Sequence, residues 1–389
     1  RSEDYKIVYS QRVQSNAIVK FRNLKQKRNK MNKMIKLSLV AAVAVTGLTT
    51  TASAANLEDA VKNTKMTGYV RYRLNTTHTT GTTDTAANEE SKAVWKFTTP
   101  VNDKVTSNVK IVALADTANG SDTANNNKGS TSAPMNVTEA NFVIKAGAVT
   151  AIAGLQTSQS PFFANNGDTR SHGVTALVAA GPATIAAAHY TTTTVTSATA
   201  QSVEVAATTN ISALGAIVKA GPANVEAWYA QAEGKKDVDA LAVLASVKAG
   251  PATVSGHYSK LDFTGNTGKY ENTQVAASAK VGPATVMAAY ATTGKTSGDT
   301  SIDGDTDGRL ISGLETISTK EGDVKAFIVG AKAKFGAVSA GLTYLKAKDK
   351  GTNANIVNGT SASEYKVSVG YKMSKNFNLS GWYDVADLG

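Results

Sequence analysis

A short turn motif, repeated along the chain, constrains the fold more than any other feature of the sequence. It reads Gly-Pro-Ala, then Thr or Asn, then Ile or Val. Full copies begin at Gly181, Gly221, Gly250 and Gly282, and weaker copies begin at Gly147 and Gly336. Glycine adopts backbone angles that other residues avoid and proline fixes its own φ, so each copy predicts a tight turn. Two strands of about ten residues, one turn and one loop would fill the spacing between copies.

The segments between the turns alternate in polarity. In residues 365–373 the odd positions are apolar or aromatic and the even positions are polar or small, and residues 69–74 and 253–259 alternate in the same way. This period of two predicts β-strands with one apolar and one polar face. After residue 55 no run of about 20 apolar residues could form a membrane-spanning helix. Strands of about ten alternating residues can instead span a membrane as a closed barrel.

Short turns alternate with long loops rich in Thr, Asn, Asp, Gly and Ser, as in outer-membrane barrels. We count seventeen strands between residues 66 and 385, whereas bacterial single-chain barrels have an even number. The sequence therefore predicts an all-β, transmembrane antiparallel β-barrel of about 18 strands, with the last strand missing and residues 66–389 forming an incomplete barrel. The alternative is a miscount, most plausibly at 201–220, where a second strand could be hidden.

The first 54 residues are expected to direct export. Two lysines, an apolar stretch from Leu37 to Leu48 and Ala52-Ser53-Ala54 form a secretory signal peptide over residues 31–54, with cleavage after Ala54. An uncleaved anchor is the alternative. We interpret residues 1–30 as non-native upstream translation and residues 55–65 as a short periplasmic segment. The expected location is the outer membrane of a Gram-negative cell.

The net charge of +11 does not indicate a nucleic-acid partner. Residues 1–54 carry eleven Lys or Arg and two acids, which leaves a net charge of +2 on residues 55–389. The absence of cysteine excludes disulfides, thiolate metal sites and thiol nucleophiles. The four histidines are isolated, and there is no GxSxG or phosphate-binding glycine motif, so we predict no enzyme. A site assembled across strands, as in an outer-membrane lipase, is the alternative.

The stretch from Met34 to Arg73 resembles the start of the major outer membrane porins of Campylobacter, Arcobacter and their relatives. The signal core KLSLVAA, the segment LEDAVK and the first strand GYVRYR carry this resemblance. It implies a homotrimeric general-diffusion porin of about eighteen strands that admits small hydrophilic solutes and ions and contacts outer-membrane lipid and lipopolysaccharide. The rival interpretation is a structural surface protein, either an S-layer subunit or an adhesin.

Residues 156–172 are the candidate constriction loop, because in porins a loop after the fifth strand folds into the lumen. We expect Pro161, Phe162 and Phe163 to hold the loop to the wall, and Asp168 and Arg170 to set a field across the pore. The alternative is an outward surface loop with one buried aromatic pair.

Six basic residues fall on the polar face of predicted strands: Arg71, Arg73, Lys332, Lys334, Lys366 and Lys372. We expect them to line the pore, because Arg or Lys on the lipid face near the midplane costs about 2–4 kcal/mol. Charges near the rims that serve only solubility are the alternative.

Aromatic residues near strand ends would form interfacial girdles where they face lipid, or core packing if the fold were a sandwich. The candidates are Tyr69, Tyr72, Trp95, Tyr190, Trp228, Tyr229, Tyr258, Tyr290, Tyr344, Tyr371, Trp382 and Tyr383.

The run from Asp303 to Gly308 resembles the start of a calcium-binding loop. Asp303, Asp305 and Asp307 have the required spacing, but Leu314 occupies the twelfth position and Glu315 comes one residue late. We expect no required cofactor and at most a weak calcium contact here, to which calcium binding in the resembled family lends some support. A solvated acidic loop is the default interpretation.

Overall fold

The computed structural model describes residues 57–78, 85–116, 135–157, 160–162, 170–193, 210–233, 238–263, 268–297, 314, 317, 322–349 and 361–387. A helix of six residues, α1 (Leu57–Lys62), precedes seventeen strands. No helix in these ranges is long and apolar enough to cross a membrane.

The first nine strands are β1 (Lys65–His78), β2 (Thr85–Pro100), β3 (Val105–Asp116), β4 (Met135–Ala146), β5 (Val149–Thr157), β6 (Arg170–Ala180), β7 (Ala183–Thr193), β8 (Asn210–Ala220) and β9 (Ala223–Glu233). The remaining eight are β10 (Val238–Ala249), β11 (Ala252–Phe263), β12 (Tyr270–Val281), β13 (Ala284–Thr293), β14 (Val324–Phe335), β15 (Val338–Asp349), β16 (Ser361–Lys372) and β17 (Asn378–Asp387). The prediction of seventeen strands is confirmed, and the described part of 201–220 holds one strand.

Each strand pairs antiparallel with the strand that follows it in sequence, so the sheet is an up-and-down meander. Two register shifts interrupt the ladders, one at Lys110/Ile111 opposite β4 and one at His172/Gly173 in β6. Two strands extend further on the loop side than the alternating segments 91–99 and 139–146, where the sequence predicts them: β2 begins at Thr85 and β4 at Met135. Backbone pairing can extend beyond the alternating segment, because it does not depend on side-chain polarity.

The repeated motif forms the tight turns. The turn glycines have φ between 56° and 60°, at Gly147, Gly181, Gly221, Gly250, Gly282 and Gly336. A residue with a Cβ is strained in this left-handed region, so the conformation explains the glycine in every copy. All these turns lie at one end of the sheet, and the long connections lie at the other.

The sheet curls until its two outermost strands approach each other. The guanidinium carbon of Arg73 in β1 lies 5.9 Å from the ring centroid of Trp382 in β17. Within the described residues no ladder joins β1 to β17, so these strands are the edges of the sheet. Along each of the paired strands, side chains therefore alternate between a concave inner face and a convex outer face.

Candidate translocation path

The two faces of the sheet differ sharply in chemistry. The register places Arg71, Thr175, Lys332 and Lys366 on the same face, which we call the inner face. The opposite, outer face carries large exposed apolar side chains on most strands, among them Val70, Tyr72, Val254, Phe327, Leu342 and Val369. An apolar outside and a polar inside are what a barrel in lipid requires.

One connection packs onto the inner face on the loop side of β7 to β11. Phe162, between β5 and β6, is fully buried, and its backbone N–H donates to Ser160 Oγ at 3.3 Å. It belongs to a cluster of small and apolar side chains from five strands: Ala186, Ala188, Tyr190, Ile211, Ala213, Trp228, Ala230, Ala232, Val238, Ala240, Ala242 and Leu261. These side chains all lie on the inner face, so Phe162 anchors its loop against the inside of the wall.

A second connection packs onto the inner face of β13 to β16. Ile317, between β13 and β14, is fully buried, and its backbone N–H donates to Glu364 Oε2 at 2.7 Å. Leu314 donates its backbone N–H to the Ile317 carbonyl at 3.0 Å, which closes a short turn. The apolar cluster around Ile317 comprises Ala289, Ala291, Val324, Ala326, Ile328, Leu345, Ala347 and Ala362. Phe162 and Ile317 thus both lie against the loop-side half of the inner face.

The inner face of β1 to β4 is polar and cross-linked. Arg71 Nε donates to Glu90 Oε1 at 2.9 Å, and a terminal nitrogen of Arg71 also contacts that oxygen. Glu139 accepts from Lys96 Nζ at 2.9 Å and lies 3.7 Å from Lys110 Nζ. Such pairs fix the long side chains along the wall rather than letting them extend across it.

A row of neutral hydrogen bonds continues this polar strip. Thr98 Oγ1 donates to Asn108 Oδ1, and the Asn108 amide nitrogen donates to Asn141 Oδ1. Further around the sheet, Thr175 Oγ1 donates to Gln156 Oε1 at 2.9 Å and lies 3.0 Å from the Tyr190 hydroxyl. These side chains present hydrogen-bond donors and acceptors that neighbouring residues hold in place. Water can therefore solvate this part of the inner face.

The six basic residues that we predicted to line a pore all lie on the inner face. Lys332 and Lys334 project from β14, and Lys366 and Lys372 from β16. Lys366 Nζ lies 5.1 Å from the centroid of the Trp382 ring. Arg73 contacts the same ring. The remaining member of the set, Arg71, is paired with Glu90.

Other predicted positions are placed differently. Arg170 begins strand β6 instead of lying in the loop, and its buried Nε has no hydrogen-bond partner among the described residues. Tyr190 and Trp228 pack in the first inner cluster, and Tyr69 and Trp382 also lie on the inner face, so these four do not face lipid. Phe163, Asp168, Asp303, Asp305 and Asp307 lie outside the described residues, within which no group of three or more metal-ligating side chains occurs.

With this geometry in view, comparison with known families decides the identity of the chain. Residues 32–255, more than half of the sequence, match the model of the Campylobacter major outer membrane protein. The chain belongs to this family. It is an outer-membrane porin, as the resemblance at its N-terminus implied. A search of curated protein sequences finds no match to this chain.

Solved structures show the same barrel fold at low sequence identity. Acinetobacter baumannii OccAB4 has a TM-score of 0.65 and 13% identity, covering 84% of this chain and 94% of its own. Pseudomonas aeruginosa OccK2 (OpdF), solved in complex with glucuronate, has a TM-score of 0.62 and 13% identity, covering 84% and 93%. Pseudomonas aeruginosa OpdK, solved with vanillate, has a TM-score of 0.59 and 12% identity, covering 84% and 93%. The porin shares their fold.

Sequence reasoning missed two features of this porin. Ile317 and Glu364 are 47 residues apart, and no local pattern indicates that one caps the other. Lys145, Lys219, Lys248 and Lys280 also lie on the inner face but were not among the predicted residues. The sequence does contain a pattern that could have identified these lysines, because each lies two residues before a turn glycine.

Proposed function

We propose that the curled sheet encloses a water-filled channel through which small hydrophilic solutes and ions diffuse passively. The observation that carries this proposal is the inner face itself, which bears charged side chains and hydrogen-bonded amides that lipid could not solvate. Passage by diffusion needs no bond-making chemistry, and we expect no enzymatic activity. Glucuronate and vanillate, found with two structural neighbours, are solutes of the size that such a channel would admit.

The two anchored loops are the proposed constriction. Phe162 packs on the inner face of β7 to β11 and Ile317 on that of β13 to β16, both on the loop side. In our proposal Pro161, Phe163 and Asp168 belong to the narrowest part of the path. The passage is then narrow on the loop side and wider on the turn side, which faces the periplasm in barrels of this kind.

The aspartates 303, 305 and 307 fall in the second of these loops, and we propose a weak calcium contact there. Carboxylate oxygens are the ligands that calcium prefers. Titration calorimetry with calcium, comparing the porin with a variant carrying asparagine at the three positions, tests this site. Equal heats from both proteins would remove the proposal.

Three outer-face lysines suggest contact with lipopolysaccharide. Lys325 lies directly opposite Lys348, and Lys346 lies opposite Phe327, all exposed at the loop end of β14 and β15. Like charges directly opposite are unfavourable, and a phosphate between them would offset this repulsion. Tyr290, Phe327 and Tyr344 line the same shallow groove, as expected of a girdle below lipid headgroups.

Planar-bilayer recording of the purified, detergent-folded porin tests the channel proposal. We expect discrete conductance steps, and closure in groups of three would support the proposed homotrimer. Well-folded, β-rich protein that inserts but conducts nothing would contradict the channel and favour a structural surface role instead.

A further inference from the structure

Six lysines recur at one structural position around the barrel. Lys145, Lys219, Lys248, Lys280 and Lys334 are each the penultimate residue of a strand, two residues before a turn glycine, and Lys372 ends β16, two residues before the bend at Ser374. They come from β4, β8, β10, β12, β14 and β16, strands that all run towards the turn side. In β6 the same position is occupied by Ala179.

Backbone hydrogen bonds hold these lysines at one level. The N–H of Lys219 donates to the Pro182 carbonyl at 2.9 Å, that of Lys248 to Pro222 at 3.0 Å, and that of Lys280 to Pro251 at 3.0 Å. Lys145, Lys334 and Lys372 donate in the same way to Lys104, Pro283 and Ala337. Each turn is thus tied to the next, and the six side chains form a ring at the turn-side mouth of the barrel.

The ring is charged and open to solvent. All six side chains are exposed on the inner face, and none takes part in an ion pair within the described ranges. Each lysine side chain ends in an ammonium group, so the ring presents six positive charges to the solvent. Glu226, on the inner face of β9, accepts hydrogen bonds from Asn224 and Trp228. Asp103 lies in a turn at the same end of the sheet.

The inner face as a whole, the ring included, carries more positive than negative charge. Among strand positions whose side chains the structure describes, fourteen inner-face residues are basic and five are acidic. The basic residues are Lys65, Arg71, Arg73, Lys92, Lys96, Lys110, Lys145, Lys219, Lys248, Lys280, Lys332, Lys334, Lys366 and Lys372. The acidic residues are Glu90, Glu139, Glu226, Glu364 and Asp384.

Most of these acids are already engaged. Glu90 is paired with Arg71, Glu139 with Lys96 and Lys110, and Glu364 accepts the Ile317 N–H. The positive charge of the ring is therefore not cancelled locally. A mouth lined by one sign of charge, with low-dielectric walls, concentrates counter-ions by roughly tenfold or more.

We infer that the lysine ring makes the porin anion-selective, recruiting small anions such as carboxylates and phosphate at its turn-side mouth. This inference rests on the proposed channel and adds the class of solute that it favours. Because the ring lies in water, its field is screened over about 10 Å at 0.1 M salt and about 3 Å at 1 M. Selectivity should consequently be strong at low ionic strength and weak at high ionic strength.

Reversal potentials across a potassium chloride gradient test this inference on the full-length porin. We expect chloride to permeate better than potassium at 0.1 M salt, with the ratio falling towards one at 1 M. A channel that conducts but prefers potassium would overturn the anion inference and leave the channel proposal intact. Absence of conductance would instead count against the channel itself.

Two variants locate the selectivity in the ring. Replacing Lys219, Lys248, Lys280 and Lys334 with Gln should lower the chloride-to-potassium ratio at least about twofold at 0.1 M salt. Ala179→Lys fills the vacant ring position and should raise the ratio, which provides a test in the opposite direction if the fourfold variant folds poorly. A control variant replaces Lys260, on the outer face of β11, with Gln. Equal ratios in wild type, the ring variants and this control would refute the role of the ring.

Discussion

Single side chains fasten the loops of this porin to its wall. Glu364 is fully buried on the inner face, and its Oε2 accepts the backbone N–H of Ile317. A buried N–H that loses its acceptor costs about 1–3 kcal/mol, which is comparable to what holds a surface loop in place. The attachment of Ile317 therefore combines its apolar packing with a hydrogen bond to one carboxylate.

Glu364→Ala should release this loop without unfolding the barrel, because the strand ladder of β16 does not involve the side chain. We expect trypsin to cleave at Arg309 or Lys320 faster than in the wild type while the heat-modifiable barrel band persists. Glu271→Ala, on the outer face, is the matched control and should leave the cleavage rate unchanged. Unaltered cleavage in Glu364→Ala would show that the hydrogen bond does not hold the loop.

At the scale of strands and turns, the local sequence determines most of the structure. A period of two and a Gly-Pro turn are readable within a few residues, so strand number and order were predictable from sequence. Alternation separates two faces but does not say which face any aromatic joins. Tyr190 and Trp228 lie on the inner face because of cross-strand register, which is set by pairings that no short segment encodes.

The contribution of a turn glycine can be measured at Gly221. Its φ of 56° makes Gly221→Ala strained, and we expect a loss of about 1–2 kcal/mol in the free energy of unfolding. Gly256→Ala is the matched substitution within a strand, where the added Cβ would meet only Gln274 O at 3.9 Å. That variant should be neutral or stabilised by about 0.5–1 kcal/mol. Urea titration in detergent checks both values, and equal stability of the two variants would contradict this account of the turn.

The loop between β5 and β6 offers a test of the constriction. Phe162→Ala removes a buried ring worth about 3–5 kcal/mol of packing, so the loop should leave the wall. Because a displaced loop no longer has a fixed position in the path, we expect single-channel conductance to change and current noise to increase. Phe142→Ala, whose side chain is 51% exposed on the outer face, serves as the control. Identical traces from all three proteins would remove Phe162 from the constriction.

The molecule as a whole presents different surfaces to lipid and to solute. The outer-face lysines at the loop end predict a preference for lipopolysaccharide, whose phosphates would lie at that height. Added lipopolysaccharide should raise the thermal denaturation temperature of the porin, and replacing Lys325, Lys346 and Lys348 with Gln should reduce this rise. Inorganic phosphate alone should give a smaller effect. An equal rise in the lysine variant would show that binding occurs elsewhere.

The inner face could be predicted only in part at this level. Arg71, Arg73, Lys332, Lys334, Lys366 and Lys372 were found from alternation, since a charge must avoid lipid wherever its strand lies. The anchoring of Ile317 on Glu364 could not be found, because it joins residues far apart in sequence across an apolar cluster. The approach of the first strand to the last could not be predicted either. The contact between Arg73 and Trp382 depends on the curvature accumulated over the whole sheet.

Both inner clusters are built largely from alanine, and this has a consequence for how permeability can vary. A wall of methyl groups imposes little shape of its own, so in the proposed constriction the loops would set the width of the passage. We therefore expect insertions or substitutions in the two loops to alter which solutes pass without disturbing the strand ladder. On this proposal the strands that fold and insert are separate from the residues that set the pore width, and the same barrel could admit quite different solutes.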